Sequence, residues 1–331
     1  MKIAILDDYQ NQVRHLDCFS LLHEHEVTVF NYPARGVGQL AVRLARFDAV
    51  VLLRERTALP ASLLNRLLNL KLIVQTGKLT GHVDVAAATA RGIQIVEGVS
   101  DPTAPAELTW ALILAATRHV PAYVTNLRKG LWQTVSSVPE QNRLGRILKG
   151  QTLGIWGYGR VGRLVAGYGK AFGMEVLVWG GASSLMGARA DRFDTARSRL
   201  ELLQRADILT LHLRLTPQTH AGISASDLAC MKTTALLVNT SRAELLAQGA
   251  LEQALSAGRP GSAALDVFES EPLATQASLL QRHNVLVTPH IGFVEQQSYE
   301  RYFGEAFRSL LAFAASTSQK VCDPARSEPL A

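Results

Sequence analysis

The glycine pattern from Gly157 to Gly162 constrains this chain more than any other sequence feature. Gly157, Gly159 and Gly162 have the spacing G-x-G-x-x-G, directly after the apolar run Thr152–Trp156 and at the start of a segment with helical spacing. A strand, a tight glycine turn and a helix expose backbone N–H groups at the positive end of the helix dipole, where a pyrophosphate can bind. The pattern predicts a dinucleotide-binding unit.

Strand-like and helix-like segments alternate around this turn, from Gly150 to His290. Such alternation is typical of a parallel sheet with helices on both faces. We identify six apolar runs: Thr152–Trp156, Glu175–Trp179, Asp207–Leu211, Ala235–Asn239, Ala263–Val267 and Asn284–Thr288. Six strands predict an α/β fold with a doubly wound, Rossmann-type parallel sheet.

The first hundred residues form a second, smaller alternating series. Its predicted strands are Lys2–Leu6, Glu26–Phe30, Ala49–Leu53, Leu72–Val74 and Ile93–Val96. The segment Gln296–Ala314 is predicted to be a helix that returns to this series, before a polar, proline-containing end. We therefore predict two domains: a discontinuous flavodoxin-like substrate domain, 1–100 with 293–331, and a Rossmann dinucleotide-binding domain, 101–292.

A long helix is predicted between the two series, over Ala104–Val120. Leu108, Leu112 and Ala115 recur at helical spacing, and the segment is apolar on more than one face. A helix of this kind can bridge two domains or pack against a second subunit.

Composition excludes several other classes of protein. Apolar residues make up 47% of the 331 and charged residues 19%, enough for two packed cores. No apolar run approaches the about 18 residues of a membrane span, and the N-terminus lacks the pattern of a signal peptide. Cys18, Cys230 and Cys322 are far apart and outside any CxxC spacing, so we predict a cytoplasmic protein with no disulfide framework and no metal. The pair His23 and His25 is interpreted as a strand edge rather than a metal site.

The positive charge favours a small anionic partner over a nucleic acid. The formal net charge is +6, but the arginines are spread along the chain and no run of five like charges occurs. Nucleic-acid-binding domains usually cluster such charge on one face or alternate it with aromatic residues. We therefore predict neither a nucleic-acid nor a membrane partner.

Polar side chains follow three of the predicted strands in the second half of the chain. Arg242 comes after one strand, Asp266 and Glu271 lie at the end of the next and beyond it, and His290 follows another. The carboxyl ends of parallel strands line one crevice, so these groups are expected to converge there. Together they supply an anion-binding cation, a carboxylate partner and an acid/base that titrates near neutral pH.

At these residues the sequence resembles the D-isomer-specific 2-hydroxyacid dehydrogenases, over nearly the whole chain. The glycine fingerprint, the Asn-x-x-Arg turn, the Asp-Val-Phe-Glu-x-Glu-Pro stretch and Pro-His-Ile-Gly occur in the family's order. The resemblance implies an NAD(P)-dependent oxidoreductase that transfers a hydride between the nicotinamide and C2 of a small 2-oxo or 2-hydroxy acid, in a cleft between two domains. It further implies that Arg242 binds the substrate carboxylate and carbonyl oxygen, that Glu271 hydrogen-bonds to His290 and favours its protonated form, and that His290 exchanges the proton.

The resemblance also implies a set of cofactor-binding residues, in which Asp266 faces the nicotinamide carboxamide. The set is Gly157, Tyr158, Gly159, Arg160, Val161, Gly162, Gly180, Asn239, Thr240, Asp266 and Gly292. NAD-selective folds usually end their second strand in a carboxylate that repels a 2′-phosphate, and here that position is Gly180. We therefore expect NADP(H) to be accepted beside NAD(H), with at most a modest preference.

The loop from Gln75 to Asp84 aligns with the family's substrate-domain loop, in which backbone amides bind the substrate carboxylate. Leu79 replaces a usual glycine, Lys78 adds a positive charge, and Arg54 is a further candidate for contact with the substrate. Lys78 resembles the pocket lysine of phosphite dehydrogenase, although a solvated loop lysine is an equal alternative.

Two alternative functions therefore stay open at the level of the sequence. One is a phosphite-type dehydrogenase, and the other is a nucleotide-sensing binding protein similar to the C-terminal-binding corepressors. The sequence does not identify the acid. Since family members pair through the region of the predicted long helix, we also predict a homodimer.

Overall fold

The computed structural model describes residues 1–321, apart from the side chains of residues 140 and 317–321. The chain divides into two compact units, one formed by Met1–Asp101 with the segment from Val294 onward, the other by Pro102–Phe293. The sequence had placed the boundaries after residues 100 and 292. The polar end of the chain, which contains Cys322, lies outside the described residues.

The first unit, called unit 1, is built on a sheet of five parallel strands. They are β1 (Lys2–Ile5), β2 (Glu26–Val29), β3 (Ala49–Leu52), β4 (Leu72–Gln75) and β5 (Gln94–Glu97). All five predicted strands are present, with ends shifted by a residue. Their order, β2-β1-β3-β4-β5, is the flavodoxin-like order, which confirms that prediction.

Helices cover both faces of this sheet, because its central strands are buried apolar runs with no solvent-facing side. Three of these α-helices are α1 (Gly36–Leu44), α2 (Ala61–Leu64) and α3 (Val85–Ala90). One face packs against a cluster that includes Phe47 and Leu63. The C-terminal helix, Gln296–Val321, contacts β4 and the segment Asp17–Leu22, with Phe307 edge-on to Phe19.

The second unit, called unit 2, contains a seven-stranded parallel sheet. Its strands are β6 (Thr152–Trp156), β7 (Glu175–Trp179), β8 (Asp194–Thr195), β9 (Ile208–Leu211), β10 (Leu236–Asn239), β11 (Ser262–Leu265) and β12 (Val285–Val287). The order is β12-β11-β10-β9-β6-β7-β8. The chain adds β7 and β8 on one side of β6, then crosses over and adds β9 to β12 on the other side. The prediction of six strands was wrong because it missed the edge strand β8. A strand of two residues is too short to produce a periodic signal in the sequence.

The helices of unit 2 cover both faces of its sheet, which confirms the doubly wound prediction. They are α4 (Thr103–Thr117), α5 (Val120–Leu127), α6 (Arg160–Ala171), α7 (Ala182–Ala190), α8 (Arg199–Arg205), α9 (Ala225–Leu228), α10 (Ala250–Ser256) and α11 (Ser278–Gln281). Alternate strand residues point to opposite faces: Leu236 packs with Trp110 and Val165, whereas Leu237 packs in the cluster of Leu202 and Leu255.

The single helix predicted over Ala104–Val120 is wrong, because the structure breaks it in two. α4 ends at Thr117, and His119 has a left-handed backbone with φ +54°. Pro121 then lies in the first turn of α5, where its missing N–H removes no helical hydrogen bond. Among the described helices, none combines the length and the apolar character needed to cross a bilayer.

Candidate active site

His290 and Glu271 form a close pair beyond the carboxyl ends of β12 and β11. The His290 Nδ1 atom lies 2.6 Å from Glu271 Oε2, and the two side chains are 26% and 34% exposed. The other carboxylate oxygen, Oε1, accepts a hydrogen bond of 2.9 Å from the Phe268 amide. With Nδ1 held by the carboxylate, Nε2 is the ring nitrogen that can exchange a proton with a substrate.

The electrostatics of this pair favour an ionised Glu271. Burial raises the pKa of Glu271, but the hydrogen bond and charge of His290, the Phe268 amide and the charge of Arg242 together lower it below its usual value. A carboxylate that stays ionised can stabilise an imidazolium beside it.

Asp266 anchors the loop that carries His290. Its fully buried carboxylate accepts hydrogen bonds from the Thr288 hydroxyl at 2.6 Å and from the amides of Ile291 and Gly292, both at 2.9 Å. Burial raises the Asp266 pKa, although these donors oppose the effect. His290 itself has φ +52°, a left-handed backbone that is costly for a non-glycine residue and therefore needs such support. The predicted contact of Asp266 with a nicotinamide stays a prediction.

Arg242 is positioned by a turn that Asn239 closes at the end of β10. The buried Asn239 side chain donates to the Arg242 carbonyl at 2.8 Å and accepts from the Ser241 amide at 3.0 Å. The Ser241 hydroxyl donates to Leu211 O at 2.7 Å, which ties the turn to β9. Arg242 Nη1 donates to Ser241 O at 2.7 Å. Asn239, predicted to bind a cofactor, thus has a local role that sequence reasoning missed.

The glycine turn has the close backbone packing that its spacing predicts. Gly157 has φ +98°, and a Cβ there would lie 2.6 Å from His212 O. A Cβ on Gly162 would collide with the Gly157 carbonyl, whereas one on Gly159 would meet nothing within 4 Å. Gly159 is also the N-cap of α6, and no side chain at this position caps the first N–H groups of the helix.

Among the neighbouring candidates, Tyr158 has its side chain engaged within unit 2. Its buried ring packs against Phe193, and its hydroxyl donates to Asp191 Oδ2 at 2.8 Å. Arg160 is exposed and Val161 is half-buried at the start of α6. The Thr240 hydroxyl lies 2.7 Å from that of Thr109.

Ser184 occupies the space beside Gly180, at the end of β7. Its hydroxyl accepts a hydrogen bond of 3.1 Å from the Tyr158 amide, and a Cβ on Gly180 would lie 2.9 Å from Ser184 Cβ. The structure thus places a neutral hydroxyl against the glycine turn, beside the position at which a selecting carboxylate is common. Arg189 is exposed and its Nε lies 3.3 Å from the Thr195 hydroxyl.

In unit 1 the structure brings together Arg54 and the loop that contains Lys78. A Cβ on Gly77 would collide with Arg54 Nη1, so the guanidinium packs directly against this loop. The Lys78 Nζ atom lies 3.1 Å from Glu97 Oε2, and the Leu79 amide donates to Glu97 Oε1 at 2.7 Å. Lys78 is thus ion-paired, which neither the pocket interpretation nor the solvated one had predicted.

Comparison with known proteins identifies the family. The family profile described as "D-isomer specific 2-hydroxyacid dehydrogenase, NAD binding domain" matches residues 110–292. Glyoxylate reductase of Aeropyrum pernix is 39% identical over 254 residues, which cover 76% of this chain and 76% of that protein. The chain belongs to the D-isomer specific 2-hydroxyacid dehydrogenases. Its relatives are oxidoreductases that act on CH–OH groups, which confirms the predicted enzyme class and a nicotinamide cofactor.

Solved structures show the same similarity over almost the full chain. A Ralstonia solanacearum oxidoreductase, described as a D-3-phosphoglycerate dehydrogenase, is 52% identical with a TM-score of 0.93, covering 99% of this chain and 98% of that one. A phosphoglycerate oxidoreductase of Vibrio cholerae is 47% identical with a TM-score of 0.92, covering 96% and 99%.

The residues of this dehydrogenase fit a dinucleotide at the glycine turn. Gly159 leaves open space before an uncapped helix, which suits a pyrophosphate. Nearby, His212 follows β9, burial lowers its pKa to about 4, and both ring nitrogens are buried without a hydrogen-bond partner. Buried polar atoms are normally satisfied, so a bound group is a natural partner for them. Sequence reasoning missed His212, although it follows a strand end as the predicted residues do.

Proposed function

We propose that this dehydrogenase interconverts a small 2-oxo acid and the matching D-2-hydroxy acid. The 2.6 Å contact between His290 Nδ1 and Glu271 Oε2 carries this proposal. During reduction His290 Nε2 gives its proton to the carbonyl oxygen, and the ionised Glu271 stabilises the imidazolium before that transfer. In the reverse direction neutral His290 accepts the hydroxyl proton. The nicotinamide cofactor supplies or accepts the hydride when bound.

Arg242 completes the proposed chemistry by binding the substrate carboxylate. A guanidinium can donate two parallel hydrogen bonds to a carboxylate, which fixes orientation as well as charge. The anionic group of the substrate is also proposed to contact the loop of Lys78 and Leu79, against which the Arg54 guanidinium packs at Gly77.

A substrate panel tests the proposal directly. Glyoxylate, hydroxypyruvate, pyruvate, 2-oxobutyrate and phosphite are assayed with each cofactor, and we expect turnover of at least one 2-oxo acid. Turnover of phosphite alone would contradict the proposal. The ion pair between Lys78 and Glu97 gives no support to the phosphite alternative, because it neutralises the charge on which that alternative rests.

The proposed cofactor specificity is acceptance of NADP(H) with at most a modest preference over NAD(H). The neutral Ser184 hydroxyl and the N-terminus of α7 lie at this strand end, and neither of them repels a 2′-phosphate. Gly180 is a poor site for a test because a side chain there would press on Ser184. Gly181, the N-cap of α7, has φ −67° and an open Cβ direction.

Gly181→Asp therefore tests the cofactor proposal, with Gly181→Asn as the neutral control of the same shape. We expect the aspartate to weaken NADPH use about tenfold relative to the asparagine, with NADH use little changed. Equal effects of the two variants, or no NADPH turnover in the unmodified protein, would contradict the proposal.

We further propose a homodimer, formed by the segment after α4 rather than by α4 itself. Trp110, Leu112 and Ile113 of α4 are buried within unit 2 and cannot contact a partner. Exposed apolar side chains follow the helix break, with Leu144 90% and Trp132 74% exposed. Large exposed apolar groups of this kind are typical of interfaces.

Sedimentation of Leu144→Asp tests the dimer proposal. The matched control is Leu68→Asp in unit 1, where Leu68 is 79% exposed. We expect only the Leu144 variant to shift toward monomer. A monomeric unmodified protein at all concentrations would refute the proposal.

A further inference from the structure

The carboxylate of Glu97 lies against the proposed substrate loop because of the strand order in unit 1. β5 pairs with β4 in parallel, and Glu97 stands opposite Gln75 in the register. The chain leaves β4 toward Lys78 and Leu79 after only two residues, so the last residue of β5 is its neighbour.

The backbone around Glu97 leaves little freedom for a different arrangement. The Gly98 amide donates to Gly77 O at 2.9 Å, and a Cβ on Gly98 would lie 2.7 Å from Gln75 O. Only glycine permits this close approach, which joins the end of β5 to the loop. The position of the Glu97 side chain beside the loop is therefore built into the backbone.

The loop binds the Glu97 carboxylate as it would bind an external anion. Lys78 Nζ is 3.1 Å from Oε2, and the Leu79 amide donates to Oε1 at 2.7 Å. Lys78 is 55% exposed and Glu97 39%, so water and small anions reach both groups. An amide has one proton to donate, and an external carboxylate must compete with Glu97 for it. Exposed ion pairs are weakly held, which makes such exchange feasible.

We propose that Glu97 is an internal competitor for the anion site formed by Lys78 Nζ and the Leu79 amide, and thereby determines how strongly this enzyme binds anionic substrates. The inference rests on the proposed function, because it takes this loop to contact the substrate. With the Glu97 charge removed, Lys78 Nζ loses its ion-pair partner and the Leu79 amide is held by at most a weaker, neutral acceptor, so an external anion binds more tightly. Proton transfer by His290 is not altered, so KM changes and kcat does not.

Glu97→Gln tests the inference, since it deletes the charge that pairs with Lys78 and leaves only a weaker, neutral acceptor for the Leu79 amide, while it keeps the size of the side chain. The probe is oxalate, titrated by calorimetry with NADH present, together with KM and kcat for glyoxylate. We expect the oxalate Kd and the KM to fall by about three- to tenfold, with kcat within about twofold. Glu305→Gln is the matched control: it makes the same charge change at an exposed ion pair with Arg308 on the C-terminal helix, and neither constant should move.

A second variant keeps the test decisive. Adding Lys78→Met to Glu97→Gln should abolish the gain in oxalate affinity. Unchanged oxalate affinity in Glu97→Gln, an equal gain in Glu305→Gln, or weaker oxalate binding with a lower Tm would each overturn the inference; the last result would mean that Glu97 only clamps the loop. Oxalate binding needs no turnover, so a protein that gains affinity but reduces no 2-oxo acid contradicts the proposed function alone.

Discussion

In each unit a carboxylate near the carboxyl ends of the strands faces a group that can carry positive charge. The two pairs can nevertheless do different chemistry. In unit 2 Glu271 faces His290 at 2.6 Å, and in unit 1 Glu97 faces Lys78 at 3.1 Å. An imidazole can exchange its proton near neutral pH, whereas an ammonium group is a fixed charge there. The same kind of carboxylate is therefore proposed to support proton transfer in unit 2, whereas in unit 1 it neutralises a charge.

The two pairs also differ in how firmly they are held. The loop of His290 is anchored by the buried Asp266, and both members of that pair are about one-third exposed or less. Lys78 is more than half exposed, where solvent and salt screen its attraction to Glu97. The comparison indicates that the pair in unit 2 is firmly anchored and that the pair in unit 1 is more easily exchanged, and four substitutions test that difference.

His290→Ala should have the largest effect. Removal of the proton donor is expected to lower kcat for 2-oxo acid reduction by about 10²- to 10⁴-fold, while NADH binding, followed by fluorescence, persists. His283→Ala, at an exposed histidine of the same unit, is the control and should keep its activity. If His290→Ala retains turnover, the pair in unit 2 does not transfer the proton, and the proposed chemical difference between the two pairs is contradicted.

Arg242→Lys should have the next largest effect. Lysine keeps the charge but cannot make the bidentate contact, so KM should rise and kcat fall, lowering kcat/KM by about 10- to 100-fold. Steady-state kinetics with the best 2-oxo acid measures both constants. If the kinetics of Arg242→Lys equal those of the unmodified enzyme, a single positive charge is enough to bind the substrate at this position, as proposed for Lys78.

Glu271→Gln should change the pH dependence more than the maximal rate. The contact that lowers the pKa of Glu271 favours the charged forms of both partners, so losing it disfavours protonated His290. Reduction needs that proton, and its activity should therefore be lost at a lower pH than in the unmodified enzyme. In the oxidation direction, activity should persist to a lower pH. Rate–pH profiles in both directions check this, and unshifted profiles would separate Glu271 from the proton transfer.

Lys78→Ala should have the smallest effect, mainly on KM. The ammonium is already neutralised by Glu97 and exposed, so we expect a rise in KM of about two- to fivefold with little change in kcat. An unchanged KM for every accepted substrate would place Lys78 outside the substrate site. A large fall in kcat would contradict the view of this site as exchangeable.

Much of the site could be predicted because motif residues lie at strand ends, where topology alone places them. Arg242, Glu271 and His290 follow β10, β11 and β12 in this way, and the glycine spacing predicts the turn before α6. His212 was missed because a lone histidine carries no motif, and only its buried, unpartnered ring nitrogens single it out. The break at His119 was missed because apolar periodicity continues across it.

The sequence by itself determined which kinds of element form and which face of each is buried, because apolar periodicity and glycine spacing are local properties of the chain. The tertiary structure alone decided which polar groups became partners. Glu97 and Lys78 are 19 residues apart, as are Glu271 and His290, but no pattern in the sequence predicts the first pair. Parallel strands bring together side chains whose separation in sequence depends on the intervening helix and loops, so only strand order and register show whether a carboxylate meets a lysine or a histidine.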